Sequence, residues 1–285
     1  MMEIKKFEEI AANYKVIFFD SYGVLRDYSG SIDGVDNTFQ WIRDHGKHFF
    51  ILTNDASRSP EELAAAYHKL GHGIVDTEDM ISSGMLARKF LKHKVKSGKV
   101  VYVGPTSAAY FIESIGLEAV HVGDLDLSNL EDIKALALLD DEGFDWRVDL
   151  NKVVNLLRFR NIPVIVANTD LGYPSSKRNV AIAIGGIAEM IEKLVGKVFI
   201  KFGKPGAQMF NFAFTHFTKL GVEADLDDVL MVGDTLTTDI VGGNKYGLDT
   251  ALVLTGNTLQ EDAEILIKST GITPTYVLET AGIIK

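Results

Sequence analysis

The sequence predicts an α/β protein whose sheets are parallel and covered by helices on both faces. Three observations carry that prediction. Short β-branched or aromatic runs recur at Val16–Phe19 and at residues 49–52, 100–103, 135–139, 164–167, 229–232 and 251–254. The runs are continuously apolar rather than alternating, as strands buried on both faces require. Between them lie stretches long enough for a helix, so the connections are expected to be right-handed crossovers.

Taken in order, the chain opens on MMEIKKFEEIAANYK, a charged, helix-like segment without the apolar stretch of a leader peptide. VIFF at Val16–Phe19 is the first strand and ends on an acid, Asp20. The run at 49–52 leads to Thr53 and Asn54. SPEELAAAYHKLG, residues 59–71, reads as a helix with Ser59 as N-cap, Pro60 in the first helical position, Glu62 completing a capping box and Gly71 closing it. The runs at 100–103 and 164–167 lead to GPT and NTD, with no acid at the immediate strand end, which points to a second sheet. GGIAEMIEKLVG, residues 185–196, spaces Ile187, Met190, Ile191 and Leu194 for helical packing against a sheet. The run at 229–232 ends on Gly233 and Asp234.

At 285 residues, 46% apolar, the chain buries a full core and is long for one compact unit, so two domains or one with a large insertion are expected. A net charge of −10 argues against nucleic acid as a partner. No cysteine is present, which removes disulfides, thiolate metal sites and cysteine nucleophiles and leaves oxygen or imidazole to hold any metal. Without an apolar run of ~18 residues, no membrane partner is expected and the chain reads as cytoplasmic.

Ligands of open α/β sheets bind beyond the carboxyl ends of the strands. Three strands here end in Asp20, in Thr53 and Asn54, and in Asp234. Two carboxylates brought together repel, and a hard divalent cation with oxygen ligands relieves them. GDTLTTDI adds Asp239, about a turn and a half into a following helix and placed to support the site through water. Thr53, at a strand-to-helix turn, offers a hydroxyl and backbone N–H groups to an anion. Lys204 in FGKPG is a compact positive charge in a Gly-flanked turn. Metal, anion cradle and lysine together suggest phosphoryl chemistry.

The order DxxG, TN, GKP, GDxxxxD resembles the haloacid dehalogenase superfamily of aspartyl-phosphate phosphatases over nearly the whole chain. Within it, ILTNDASRSPEEL, VANTDLGYP, FGKPG and VGDTLTTDI are similar to the class IIA branch, whose members act on nitrophenyl, pyridoxal and sugar phosphates. The resemblance implies a Rossmann-like, doubly wound parallel core, residues 1–82 and 178–285, with an inserted α/β cap of C2 type, residues 83–177. It implies Asp20 as nucleophile forming an aspartyl phosphate, and Mg²⁺ held by Asp20, the Tyr22 carbonyl, Asp234 and Asp239. Thr53, Asn54 and Lys204 would grip the phosphoryl group, with Ser21 and Arg58 beside the substrate and Asp170 as the cap's specificity residue. A small phosphomonoester, a sugar phosphate by preference, is the implied substrate, and a homodimer through the cap is allowed.

Most phosphatases of this family carry DxD in the first motif, the second Asp being general acid and base. Here that position is Tyr22. General acid–base assistance contributes ~10²–10⁴-fold, and an unperturbed tyrosine, with a pKa near ~10, is a poor base at neutral pH. Three readings stay open: a phosphatase that is slow, has a good leaving group or borrows a cap side chain; another phosphoryl transfer; or a phospho-ligand sensor.

His45/His48 and His68/His72 have one-face helical spacing and read as solvent-facing helix residues. Lys177 and Arg178, near the return from the cap, read as a solvated pair. LDDEGFDW, residues 139–146, is an acidic, aromatic cap loop that either gates the entrance or forms a subunit contact.

Overall fold

The structure, a computed structural model, describes residues 3–176 and 179–284. Lys177 and Arg178 lie outside the described residues. Two parallel sheets organise the chain. The larger runs in the order Ile4–Lys5, Tyr276–Leu278, Asp249–Val253, Val229–Gly233, Val16–Phe19, His48–Thr53, Met80–Ser82. The smaller runs Ile200–Lys201, Val164–Val166, Ile133–Leu138, Lys99–Val103, Glu118–His121.

An interior strand, Val16–Phe19, explains the continuous apolar runs. All four residues of Val16–Phe19 are buried. Ile17 and Phe19 join Phe39 and Phe49 in one cluster, while Val16 and Phe18 join Phe50 and Phe217 in another. Alternate residues thus face opposite helical layers, so no position is free to be polar. The helix Pro60–Lys69 is capped as predicted: Glu62 N donates to Ser59 Oγ at 3.2 Å and Ser59 N to Glu62 Oε2 at 3.1 Å. It lays Leu63 and Tyr67 into the core.

The runs at 100–103, 135–139 and 164–167 form the smaller sheet together, as their strand ends predicted. Other expectations are revised. The opening segment pairs as a strand at Ile4–Lys5 before the short helix Phe7–Ala11. The helix Ile184–Val195 buries Ile184, Ile187, Ala188 and Ile191, leaving Met190 55% and Leu194 68% exposed, because the buried stripe centres on 187 and 191 and the other two fall on its flank. That stripe packs with Val101, Leu136 and Val166 of the smaller sheet, which also takes Ile200–Lys201 as an edge strand. We therefore draw the return to the larger unit after Lys201 rather than at residue 178. His48 opens a strand, and His72 is buried between Ser31 and Asp36, to both of which its ring is hydrogen-bonded; neither faces solvent from a helix.

Candidate active site

Strand order brings the predicted residues together. Val16–Phe19 lies between Val229–Gly233 and His48–Thr53, with Phe19 opposite Val232 on one side and Ile51 on the other. Asp20, Asp234 and Thr53 therefore leave the same edge of the sheet side by side. Asp20, Asp234 and Asp239 offer carboxylate oxygens that all lie within 4.8 Å of one another. Asp239 is reached differently from expectation: residues Leu236–Ile240 form one wide π-helical turn, and Asp239 packs directly against Gly233, where a Cβ would overlap it. Its carboxylate lies in the same cluster as those of Asp20 and Asp234.

Lys204 comes from the segment after the smaller sheet. Its side chain is 2% exposed, and Nζ stands 2.6 Å from Asp20 Oδ1 and 2.8 Å from Asp239 Oδ1. Burial alone would lower its pKa, but Asp20 and Asp239 outweigh that and hold it above the ordinary value. Asp234 is pushed up to about 7, first by burial and then by the Asp20 charge. Asp239 is pushed well above the usual carboxylate range, chiefly by burial and against the pull of Lys204. Asp234 is held in place by Asn257 N–H on Oδ2 at 2.6 Å and the Thr235 hydroxyl on Oδ1 at 2.9 Å.

Asn54 ties the units together. Its Oδ1 accepts the Lys204 amide at 2.8 Å, and its Nδ2 lies within hydrogen-bond reach of the Lys204 carbonyl, Thr169 Oγ1 and Asp170 Oδ1. The Thr169 hydroxyl also donates to the Lys204 carbonyl. Asp170 is pushed up to about 6 by burial and then by Asp20. Thr53 Oγ1 accepts the Asp55 amide, and Ser21 Oγ shares a hydrogen bond of 2.7 Å with the buried Tyr67 hydroxyl.

A cleft of about 270 Å³ opens on this cluster, lined by Asp20, Ser21, Tyr22, Thr53, Arg58 and Asp170 among others. The smaller sheet contributes Asp140, Asp141 and Glu142, so the acidic loop singled out in the sequence faces the cleft. A larger cleft, about 580 Å³, adjoins the same junction and shares Asp170, Gly172, Thr235 and Asn257 with it, but Asp20 lines the smaller one. Tyr22 points across the junction: its hydroxyl donates to the Pro174 carbonyl at 2.9 Å, and its ring meets Tyr173 edge-on with centroids 6.0 Å apart. Burial raises its pKa.

Sequence reasoning missed Arg26, Tyr67 and Asn257. Arg26 approaches both Ser21 Oγ and Asp55, Tyr67 supports Ser21, and Asn257 holds Asp234. Tyr67 lies on the buried face of a predicted helix, and nothing in spacing distinguishes it from core. Arg26 opens a two-residue strand and Asn257 sits in a loop, and neither stretch carries a pattern of its own.

A family model for haloacid dehalogenase-like hydrolases matches residues 17–118, and a second, HAD-hydrolase-like model matches residues 201–282. A crystal structure from Cytophaga hutchinsonii, described as a possible sugar phosphatase of the HAD superfamily, is 52% identical, covers all of both chains and has a TM-score of 0.94. Chronophin from Bos taurus is 25% identical over 95% of this chain and 92% of its own. A glycerol phosphate phosphatase from Mycobacterium tuberculosis, solved in complex with magnesium, is 25% identical, covers 95% of this chain and 77% of its own, and has a TM-score of 0.75. Family models and relatives agree with the strand-end cluster: the chain belongs to the haloacid dehalogenase superfamily of hydrolases.

Proposed function

We propose that the protein is a phosphatase of small phosphomonoesters that works through an aspartyl phosphate on Asp20. The observation that carries this reading is the Asp20 carboxylate at the mouth of a cleft, ion-paired to buried Lys204 and grouped with Asp234 and Asp239. Asp20 attacks phosphorus in line with the leaving oxygen, Lys204 neutralises phosphoryl charge, and the Thr53 hydroxyl donates to a phosphoryl oxygen. Asn54 acts through Lys204, whose backbone it fixes, rather than by gripping phosphate itself.

The cluster fits Mg²⁺. Its donors are all carboxylate oxygens, and burial with mutual repulsion has pushed two of the three acids up, which a hard cation relieves. Asp20, the Tyr22 carbonyl, Asp234 and Asp239 would hold it. Bound there, the cation neutralises the phosphoryl oxygens as charge develops.

The small cleft restricts the leaving group, and a sugar phosphate is the substrate class favoured by the relative from Cytophaga hutchinsonii. Tyr22 is a tie to Pro174, not the general acid. Phosphate release from a panel of phosphomonoesters, with and without Mg²⁺ and beside Asp20→Asn, tests the reading. Turnover that survives in Asp20→Asn removes it.

A further inference from the structure

We infer that Asp140, on the loop leaving the central strand of the smaller sheet, donates the proton to the leaving oxygen and takes it back from the attacking water. The inference rests on Asp20 being the nucleophile.

Tyr22 occupies the position from which the family's second aspartate works, but its hydroxyl is committed to the Pro174 carbonyl. Another group at the cleft must therefore carry the proton. Asp55 is already engaged: it accepts from both the amide and the hydroxyl of Ser57 and is ion-paired with Arg26 at 3.8 Å. Asp141 accepts the Tyr173 hydroxyl at 3.0 Å and the Ile184 amide, so it serves the fold of the smaller sheet. Glu142 is exposed at the rim. Asp170 is bonded to Asn54 and lies in the field of Lys204 and Asp20, on the phosphoryl side.

Asp140 is different. It is half-buried and lines the cleft, and its backbone packs beside Gly104, where a Cβ would press on it. Among the described residues its carboxylate accepts one hydrogen bond, from the Glu142 amide at 3.0 Å. Burial, then the charges of Asp55 and Asp141, push its pKa up to about 7, where donor and acceptor forms are both available at neutral pH. Facing it are Asp55 and Arg58 from the loop after His48–Thr53, Arg26 from the hairpin after the nucleophile, Tyr173 from the hairpin at Gly172–Pro174, and its own neighbours Asp141 and Glu142.

The steps balance. An Asp20 oxygen bonds to phosphorus as the phosphorus–leaving oxygen bond breaks, and the Asp140 proton passes to that oxygen to give the alcohol. Water then attacks phosphorus, giving a proton to the Asp140 carboxylate, as the phosphorus–Asp20 bond breaks and inorganic phosphate leaves.

The test compares Asp140→Asn with wild type on two esters, an alkyl phosphate whose alkoxide needs a proton and p-nitrophenyl phosphate, whose phenolate leaves without one. The expected loss in kcat/KM is about 10²–10⁴-fold on the alkyl ester and far smaller on the nitrophenyl ester, whose turnover also shows that the variant folds. In wild type the alkyl rate falls above neutral pH, and this fall is absent in Asp140→Asn. Equal losses on both esters, or a loss that follows the number of leaving-group hydroxyls rather than leaving-group acidity, overturns the inference while leaving the phosphatase reading intact. If wild type turns over neither ester, both readings fail.

Discussion

The Tyr22 hydroxyl and the Pro174 carbonyl, 2.9 Å apart, join the loop that follows Asp20 to a hairpin beside the smaller sheet. Edge contact with Tyr173 adds to the tie, and Tyr173 is itself bonded to Asp141. Tyr22 thus ties the loop after Asp20 to the hairpin that lines one side of the cleft.

Tyr22→Phe keeps the ring and loses the hydrogen bond, whose net worth is about 1 kcal/mol. KM is expected to rise severalfold with kcat little changed and the pH profile unaltered. A large fall in kcat with a shifted pH profile in steady-state kinetics would show instead that the hydroxyl moves a proton.

Lys204→Met strips the ammonium from Asp20 and Asp239, leaving buried carboxylates uncompensated. Breaking a buried pair from one side costs about 3–5 kcal/mol. Urea unfolding should show a loss of that order, and added Mg²⁺ should restore more stability to the variant than it adds to wild type. Unchanged stability in the absence of Mg²⁺ would mean that Lys204 does not balance these acids.

Gly256→Ala puts a methyl where Asp234 Oδ2 and the Gly23 backbone already stand. Asp234 must then shift from its hydrogen bonds with Asn257 and Thr235. Titration calorimetry should find Mg²⁺ binding at least about tenfold weaker, about 1.4 kcal/mol, with the far-UV spectrum preserved. Wild-type affinity would show that this carboxylate does not need its clamp.

Tyr67 is fully buried against Ser21, and burial pushes its pKa from 10.0 to about 12. Because the folded value lies above the unfolded one, its contribution is fully present below pH 10 and is lost as pH rises through 12. Each proton released on unfolding steepens the loss by about 1.4 kcal/mol per pH unit. Tyr67→Phe should flatten the stability curve in that window by about one proton, and an unchanged slope would contradict the assignment.

Much of this site was legible before any coordinates. Asp20, Thr53 and Asp234 were readable because each ends an apolar, buried run, and parallel order forces such ends onto one rim. The smaller sheet was signalled by the strand ends that lack acids. Edge strands such as Ile4–Lys5 and Ile200–Lys201 are two residues long and carry no period, so the membership of Ile200–Lys201 in the smaller sheet was not readable. Helical spacing alone did not separate buried Ile187 and Ile191 from exposed Met190 and Leu194, which depends on which sheet the helix meets. The orientation of Tyr22 was out of reach for a similar reason, since its partner lies 152 residues away and is a backbone carbonyl.

The central claim is a covalent bond between phosphorus and Asp20. Protein quenched during turnover of a phosphomonoester with Mg²⁺ and reduced with borohydride should contain homoserine at position 20, found by peptide mass spectrometry. An unmodified aspartate at that position while phosphate is being released, or the reduced residue elsewhere in the chain, would contradict it.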